Sequence, residues 1–170
     1  MIKQDDSCRK IFNELKNRGY ISAHCKLKQS EKIPNFAPRP FSIQYHPDMN
    51  DLEENSIRFC LLHEEGHRRK FYQLGFLVVF MVLLYYYNFI LGILAFFIFI
   101  VSMRSLLWGY EYNSDKYASI ILRDEYNISE PSKILENTFN DKIPPSRFSS
   151  LTHPTEQNRV QYIADNIDKK

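Results

Sequence analysis

The chain has 170 residues, enough for one domain or for one domain plus a membrane segment. Its 22 basic and 20 acidic residues leave a net charge of +2, which gives no reason to propose nucleic acid as a partner. Cys8, Cys25 and Cys60 are odd in number and form no C-x-x-C pair, which argues against a disulfide framework and fits a reducing compartment.

Met1 to Lys32 is polar and charged, without the pattern of a signal peptide. Within it, Asp5 to Asn17 is predicted as a helix: Ser7 caps it, Ile11, Phe12 and Leu15 share a face, and Gly19 stops it. Tyr20 to Lys28 alternates as a half-buried strand does, with Ile21, Ala23, Cys25 and Leu27 on one side. Gln29 to Pro40 holds Pro34, Pro38 and Pro40 and reads as loop with some extended edge. Phe41 to Tyr45 is a second strand, ended by His46-Pro47-Asp48, and Asn50 or Asp51 caps the next helix. That helix runs from about Leu52 into an apolar segment, and a second long helix leaves the segment and continues to about Arg123. Ser129-Glu130-Pro131 opens a short helix with Pro131 in its first turn, and Asn140 to Ser150 is loop. Thr155 to Ile167 closes the chain as an amphipathic helix with Val160, Ile163, Ala164 and Ile167 inward.

The first long helix contains His63-Glu64-Glu65-Gly66-His67, an H-E-x-x-H run. Positions i and i+4 of a helix share a face one turn apart, so His63 and His67 can hold one Zn²⁺, with Glu64 beside it as a general base. The second long helix offers Glu111 and Asp115, again i and i+4. One carboxylate can ligate the metal while the other accepts a hydrogen bond from a ligand imidazole.

Between the two motifs, Leu74 to Met103 contains no Asp, Glu, Lys, Arg or His and reads as membrane-spanning. A single crossing would separate His67 from Glu111 by the bilayer, so a shared metal requires the chain to enter and return. Asn88 lies 21 residues after His67 and 23 before Glu111, legs of ~32 and ~35 Å as helices. An antiparallel hairpin turning near Tyr87-Asn88 therefore returns Glu111 to the level of His67, with Tyr85, Tyr86 and Tyr87 at the far interface. Arg68, Arg69, Lys70 and Arg104 flank the segment on the metal side, which predicts an integral membrane protein with its site facing the cytoplasm. Arg68, Arg69 and Lys70 read as interfacial anchors, His24 and His46 as surface or strand residues, and Cys60 as core packing.

His63-Glu64-Glu65-Gly66-His67, the apolar hairpin and Glu111-x-x-x-Asp115-x-x-Ala118, followed by Thr152-His153-Pro154 and Arg159, resemble the HtpX-like and CAAX-prenyl-protease-like gluzincins, integral-membrane zinc endopeptidases. The resemblance covers roughly Ile33 to Ile167, at the size of the minigluzincins. It implies an α+β, mostly α, zincin-like fold with a small β-sheet and a membrane-inserted hairpin extending the two zinc helices. It makes 1–170 one minimal metallopeptidase domain, interrupted by the hairpin at 74–103. It implies zinc held by His63, His67 and Glu111 with water fourth. Glu64 polarises that water and shuttles its proton, Asp115 orients a ligand histidine, His153 stabilises the oxyanion, and Arg159 supports that site. Asn35-Phe36-Ala37 resembles the edge-strand motif that binds the substrate polypeptide. The family's additional N-terminal membrane helices are absent, so a homo-oligomer or partner subunit is a candidate to complete the cleft. Two other readings use the same residues. One is an intramembrane site-two-type protease, which takes its third ligand from a later membrane segment that this chain lacks after Met103. The other is a non-catalytic zinc-binding scaffold or chaperone-like subunit.

Overall fold

The computed structural model describes residues 6–142 and 153–169, so Thr152 and the expected loop beyond Lys142 lie outside the described residues. The chain is α+β and mostly helical, with one small sheet. Helix α1 spans Ser7–Asn17 and buries Cys8, Ile11, Phe12 and Leu15. Its cap is Asp6, one residue before the expected Ser7, because the Asp6 carboxylate accepts from the Arg9 backbone N–H and side chain. Gly19, at φ +82°, closes the helix and lets the N–H groups of Tyr20 and Ile21 turn back to the Leu15 carbonyl.

That closure shortens the expected strand over Tyr20 to Lys28. Tyr20 and Ile21 spend their N–H groups on α1, Ser22 donates to Glu65, and Cys25 donates to Ser22 in a turn. Strand β1 is therefore Lys26–Gln29 alone. Strand β2, Phe36–Arg39, forms inside the proline-rich stretch, and β3 is Ser42–Tyr45. The order is β1-β3-β2, with β1 parallel and β2 antiparallel to β3. His46 donates to the Asn35 carbonyl, which fixes the phase of the β2–β3 ladder. Phe36 and Pro38 fall at the positions whose backbone groups point away from β3. Pro38 thus loses a donor only on the free edge, which is how a proline fits in this strand.

A 3₁₀ turn over Pro47–Asp51 precedes α2, which spans Glu54–Tyr87. Asn50 does not cap α2: its side chain accepts from Cys8 and donates to Pro47. Helix α3 spans Phe89–Tyr126, and Asn127 ends it in the left-handed conformation. Helix α4 is Pro131–Lys142, and α5 is Glu156–Ile163, capped by Thr155 and extended by a π turn over Ala164–Asp168. Ile163 and Ile167 are buried there as expected.

Helices α2 and α3 form the hairpin, which turns at Asn88. Its N–H caps α2 through the Leu84 carbonyl, and its side chain accepts from Ile90 and Leu91 to cap α3. At the turn Gly92 lies against Tyr85, and at the other end Gly66 lies against Ser114. The paired positions step in opposite directions, so the helices run antiparallel between these points. Helix α2 is long and apolar enough to cross a membrane, and α3 is so when its two parts, which meet at 51° near Ser102, count as one span. The core lies at the opposite end, where Phe12, Ile43, Ile57, Leu61 and Leu122 are buried together.

Candidate metal centre

His63 and His67 project from one face of α2, and Glu111 faces them from α3. The helices approach closely enough because Gly66 carries no side chain: a Cβ there would lie 2.9 Å from the Ser114 Cα. The two Nε2 atoms are 2.9 Å apart, and they lie 3.6 Å (His63) and 3.2 Å (His67) from the Glu111 oxygens. The ligand atoms of these three residues all fall within 4.8 Å of one another. Zinc holds nitrogen and oxygen at about 2.0–2.2 Å, which sets tetrahedral ligand atoms ~3.3 Å apart. The observed separations bracket that value, and two imidazoles with one carboxylate are a zinc donor set.

The remaining predicted residues surround the triad. Asp115 is fully buried, and its Oδ1 lies 2.8 Å from the His63 Nδ1, close but poorly aligned for a hydrogen bond. Arg159 grips Asp115 with two bonds of 2.7 Å and reaches Glu111 at 3.4 Å, its guanidinium 5.0 Å from the Phe139 ring centroid. The side chain read as an oxyanion support is thus a clamp on both carboxylates. His153 approaches Glu111 at 2.9 Å through Nδ1. Burial opposes the ionised form of both acids, but His153 and His67 hold the Glu111 carboxyl far below its usual range, and Arg159 lowers that of Asp115. Both acids are anionic at neutral pH.

Glu64 differs. Its Oε2 is buried with no hydrogen-bond partner among the described residues. Burial pushes its carboxyl upward, against the pull of His63 and His67. A carboxylate left unpaired beside a metal triad is suited to take and return a proton.

His63, Glu64, His67, Glu111, His153 and Arg159 line a cleft of about 890 Å³. Asn35, Phe36 and Ala37, the expected substrate-binding residues, form part of its wall together with Pro38. The unpaired edge of β2 and the triad therefore border one space. Cys60 also lines the cleft, while His24 is exposed and His46 caps the 3₁₀ turn.

Two assignments change. Arg68 is not an interfacial anchor: it is buried, bonded to Glu65 at 2.6 and 2.9 Å and to the Pro40 carbonyl at 3.1 Å. Arg69 also bonds Glu65, at 3.1 Å, and the Tyr20 carbonyl at 2.9 Å. Glu65, one of the two variable positions in H-E-x-x-H, thus ties α2 to the loop before β1 and, through Arg68, to the β2–β3 turn. Lys70 and Phe71 line the cleft as well. Their spacing of three and four residues from His67 was the available sequence signal, because it continues the His63–His67 face.

Comparison with protein-family models, with curated proteins and with solved structures yields no match.

Proposed function

We propose that the chain is a membrane-anchored zinc-dependent endopeptidase of the HtpX-like and CAAX-prenyl-protease-like type. The observation that carries this reading is the His63, His67 and Glu111 triad beside an unpaired, buried Glu64 oxygen in a cleft bordered by a free strand edge. Zinc bound by that triad supplies Lewis-acid polarisation of a carbonyl and a nucleophilic water at neutral pH. Glu64 takes the proton from the attacking water and delivers it to the leaving amine nitrogen as the C–N bond breaks. Its upward-shifted carboxyl suits both transfers. His153 donates to the substrate oxygen that gains charge. Asp115 and Arg159 fix the donors: Asp115 turns His63, and Arg159 holds Asp115 and Glu111 in place.

The substrate binds as an added strand along Asn35, Phe36 and Ala37. Phe36 N–H and the carbonyls of Phe36 and Pro38 face outward for it. The apolar hairpin sits in the bilayer with the cleft on the cytoplasmic side, which makes unfolded chains and membrane proteins the substrates. The test uses the full chain and its Glu64→Ala variant, each loaded to about one zinc per chain. Cleavage of an unfolded protein is expected to fall by about 10²–10⁴-fold in the variant with zinc content unchanged. Equal turnover in both would remove Glu64, and the peptidase mechanism with it.

A further inference from the structure

One cation in the cleft takes no part in the reaction above. Lys70 follows His67 by three residues, so it continues the face of α2 that carries the histidines, ~5 Å nearer the hairpin. Its side chain is half-buried and lines the cleft. Its ammonium lies 5.4 Å from the ring centroid of Tyr110 on α3. Phe71, Leu107 and Tyr110 line the cleft on the same stretch of the two helices. An interfacial lysine extends its charge out to the headgroups. This one folds inward over an aromatic ring.

The other basic side chain of the cleft, Arg159, is engaged by Asp115 and Glu111. Among the described residues no carboxylate pairs with Lys70, and burial draws its pKa below the ordinary lysine value. A partly desolvated ammonium without a counter-ion gains most from a carboxylate brought by a ligand. The surrounding apolar side chains suit the methylenes of a glutamate better than a compact anion.

We propose that Lys70 is the specificity-determining residue of a substrate subsite beside the metal centre, and that it receives a carboxylate of the bound peptide. This rests on the peptidase reading. The carboxylate comes from a glutamate side chain or from a chain terminus, and the test separates the two sources. A single Glu is walked along a short neutral peptide with an amidated C-terminus, with Gln as control and a free-acid Gln peptide as a further arm. Binding to the full-length Glu64→Ala chain in detergent is read by fluorescence anisotropy, with and without zinc.

At one position the Glu peptide is expected to bind about tenfold tighter than its Gln partner, about 1.4 kcal/mol. If the terminus is the source, the free acid shows the advantage instead. Lys70→Gln erases the advantage, Lys70→Arg keeps it, and Lys70→Glu shifts it to a peptide carrying Lys. Retention of the carboxylate advantage in folded Lys70→Gln overturns the subsite, as does equal binding of all peptides or binding of none. Because binding needs no turnover, the two readings fail separately. A Lys70-dependent preference without cleavage by the wild-type chain keeps the subsite and removes the peptidase. Cleavage without a preference does the reverse.

Discussion

Arg159 reaches two carboxylates from a helix that carries neither. Its fork takes both oxygens of Asp115 while its other nitrogen approaches Glu111, so one side chain sets the separation of a candidate metal donor from the acid behind His63. A lysine at the same place keeps the charge and loses the fork. Arg159→Lys is therefore expected to lower zinc affinity by about 10–100-fold, measured by competition with a chelator. Unchanged affinity would show that Glu111 needs no such clamp. Gly66 acts through what it lacks. A methyl group there would meet the Ser114 backbone at 2.9 Å, so Gly66→Ala must push α2 and α3 apart. The expected cost is about 1–3 kcal/mol in chemical unfolding, with weaker zinc binding because the displacement separates the histidines from Glu111. Stability and affinity equal to wild type would mean that the helices can part without loss.

At the scale of elements, three helices meet at Glu14. Tyr126 at the end of α3 donates to it at 2.8 Å, and Arg58 on α2 donates at 3.2 Å. Burial raises the Glu14 carboxyl, but these two partners outweigh it and hold the group below its ordinary range. The folded value then lies under the unfolded value of about 4.3. The contribution is complete above that pH and is lost as pH falls through the folded value. Glu14→Gln is expected to cost about 1 kcal/mol at neutral pH, and the gap from wild type should close as the pH falls below about 4 in urea titrations. A gap independent of pH would remove the ionised contact as its cause. The long elements were legible in the sequence because periodicity and apolar length both report on them; the hairpin turn at Asn88 followed from the near-equal legs. The ligand and carboxylate spacings were legible for the same reason, since i and i+4 residues share a helical face. The short elements were not. Ile21, Ala23, Cys25 and Leu27 alternate as a strand would, yet Ala23 is exposed and the N–H groups of Tyr20, Ile21, Ser22 and Cys25 are committed to α1, Glu65 and Ser22. Asn50 has the right chemistry for a cap and spends it on Cys8 and Pro47. Arg68 looked like an anchor because its partner Glu65 sits in the same motif and gives no separate signal. Contacts of this kind depend on which distant groups arrive first at a donor, and local patterns carry no record of that.

The whole molecule divides into a packed end and an apolar arm. Tyr86, Ile90 and Val101 are 85, 75 and 81% exposed on that arm, far beyond a scattered hydrophobic surface, so something apolar must cover it. Insertion in a bilayer makes a geometric prediction, because a hairpin that crosses puts its turn on one side and everything else on the other. The native thiols allow this to be read directly. Cys8, Cys25 and Cys60 are buried, and burial, reinforced by Asp6, lifts the Cys8 thiol to about 12, so none should react readily with an impermeant maleimide. A single cysteine placed at exposed Tyr86 or at exposed Lys169 then reports one side each. In vesicles of known orientation, Lys169→Cys is expected to label only when the cytoplasmic face is outward, and Tyr86→Cys only when the opposite face is. Labelling of both from the cytoplasmic face would mean that the arm lies against the membrane or a partner without crossing. Lys169→Cys labelled from the opposite face alone would reverse the orientation that the basic residues suggest. Of the basic residues that suggest this orientation, Arg68 is held inside the protein by Glu65, while Arg69 bonds Glu65 with its side chain about half exposed. If the basic residues on the metal side set the orientation, replacing Arg69, Lys70 and Arg104 together with Gln should scramble the labelling.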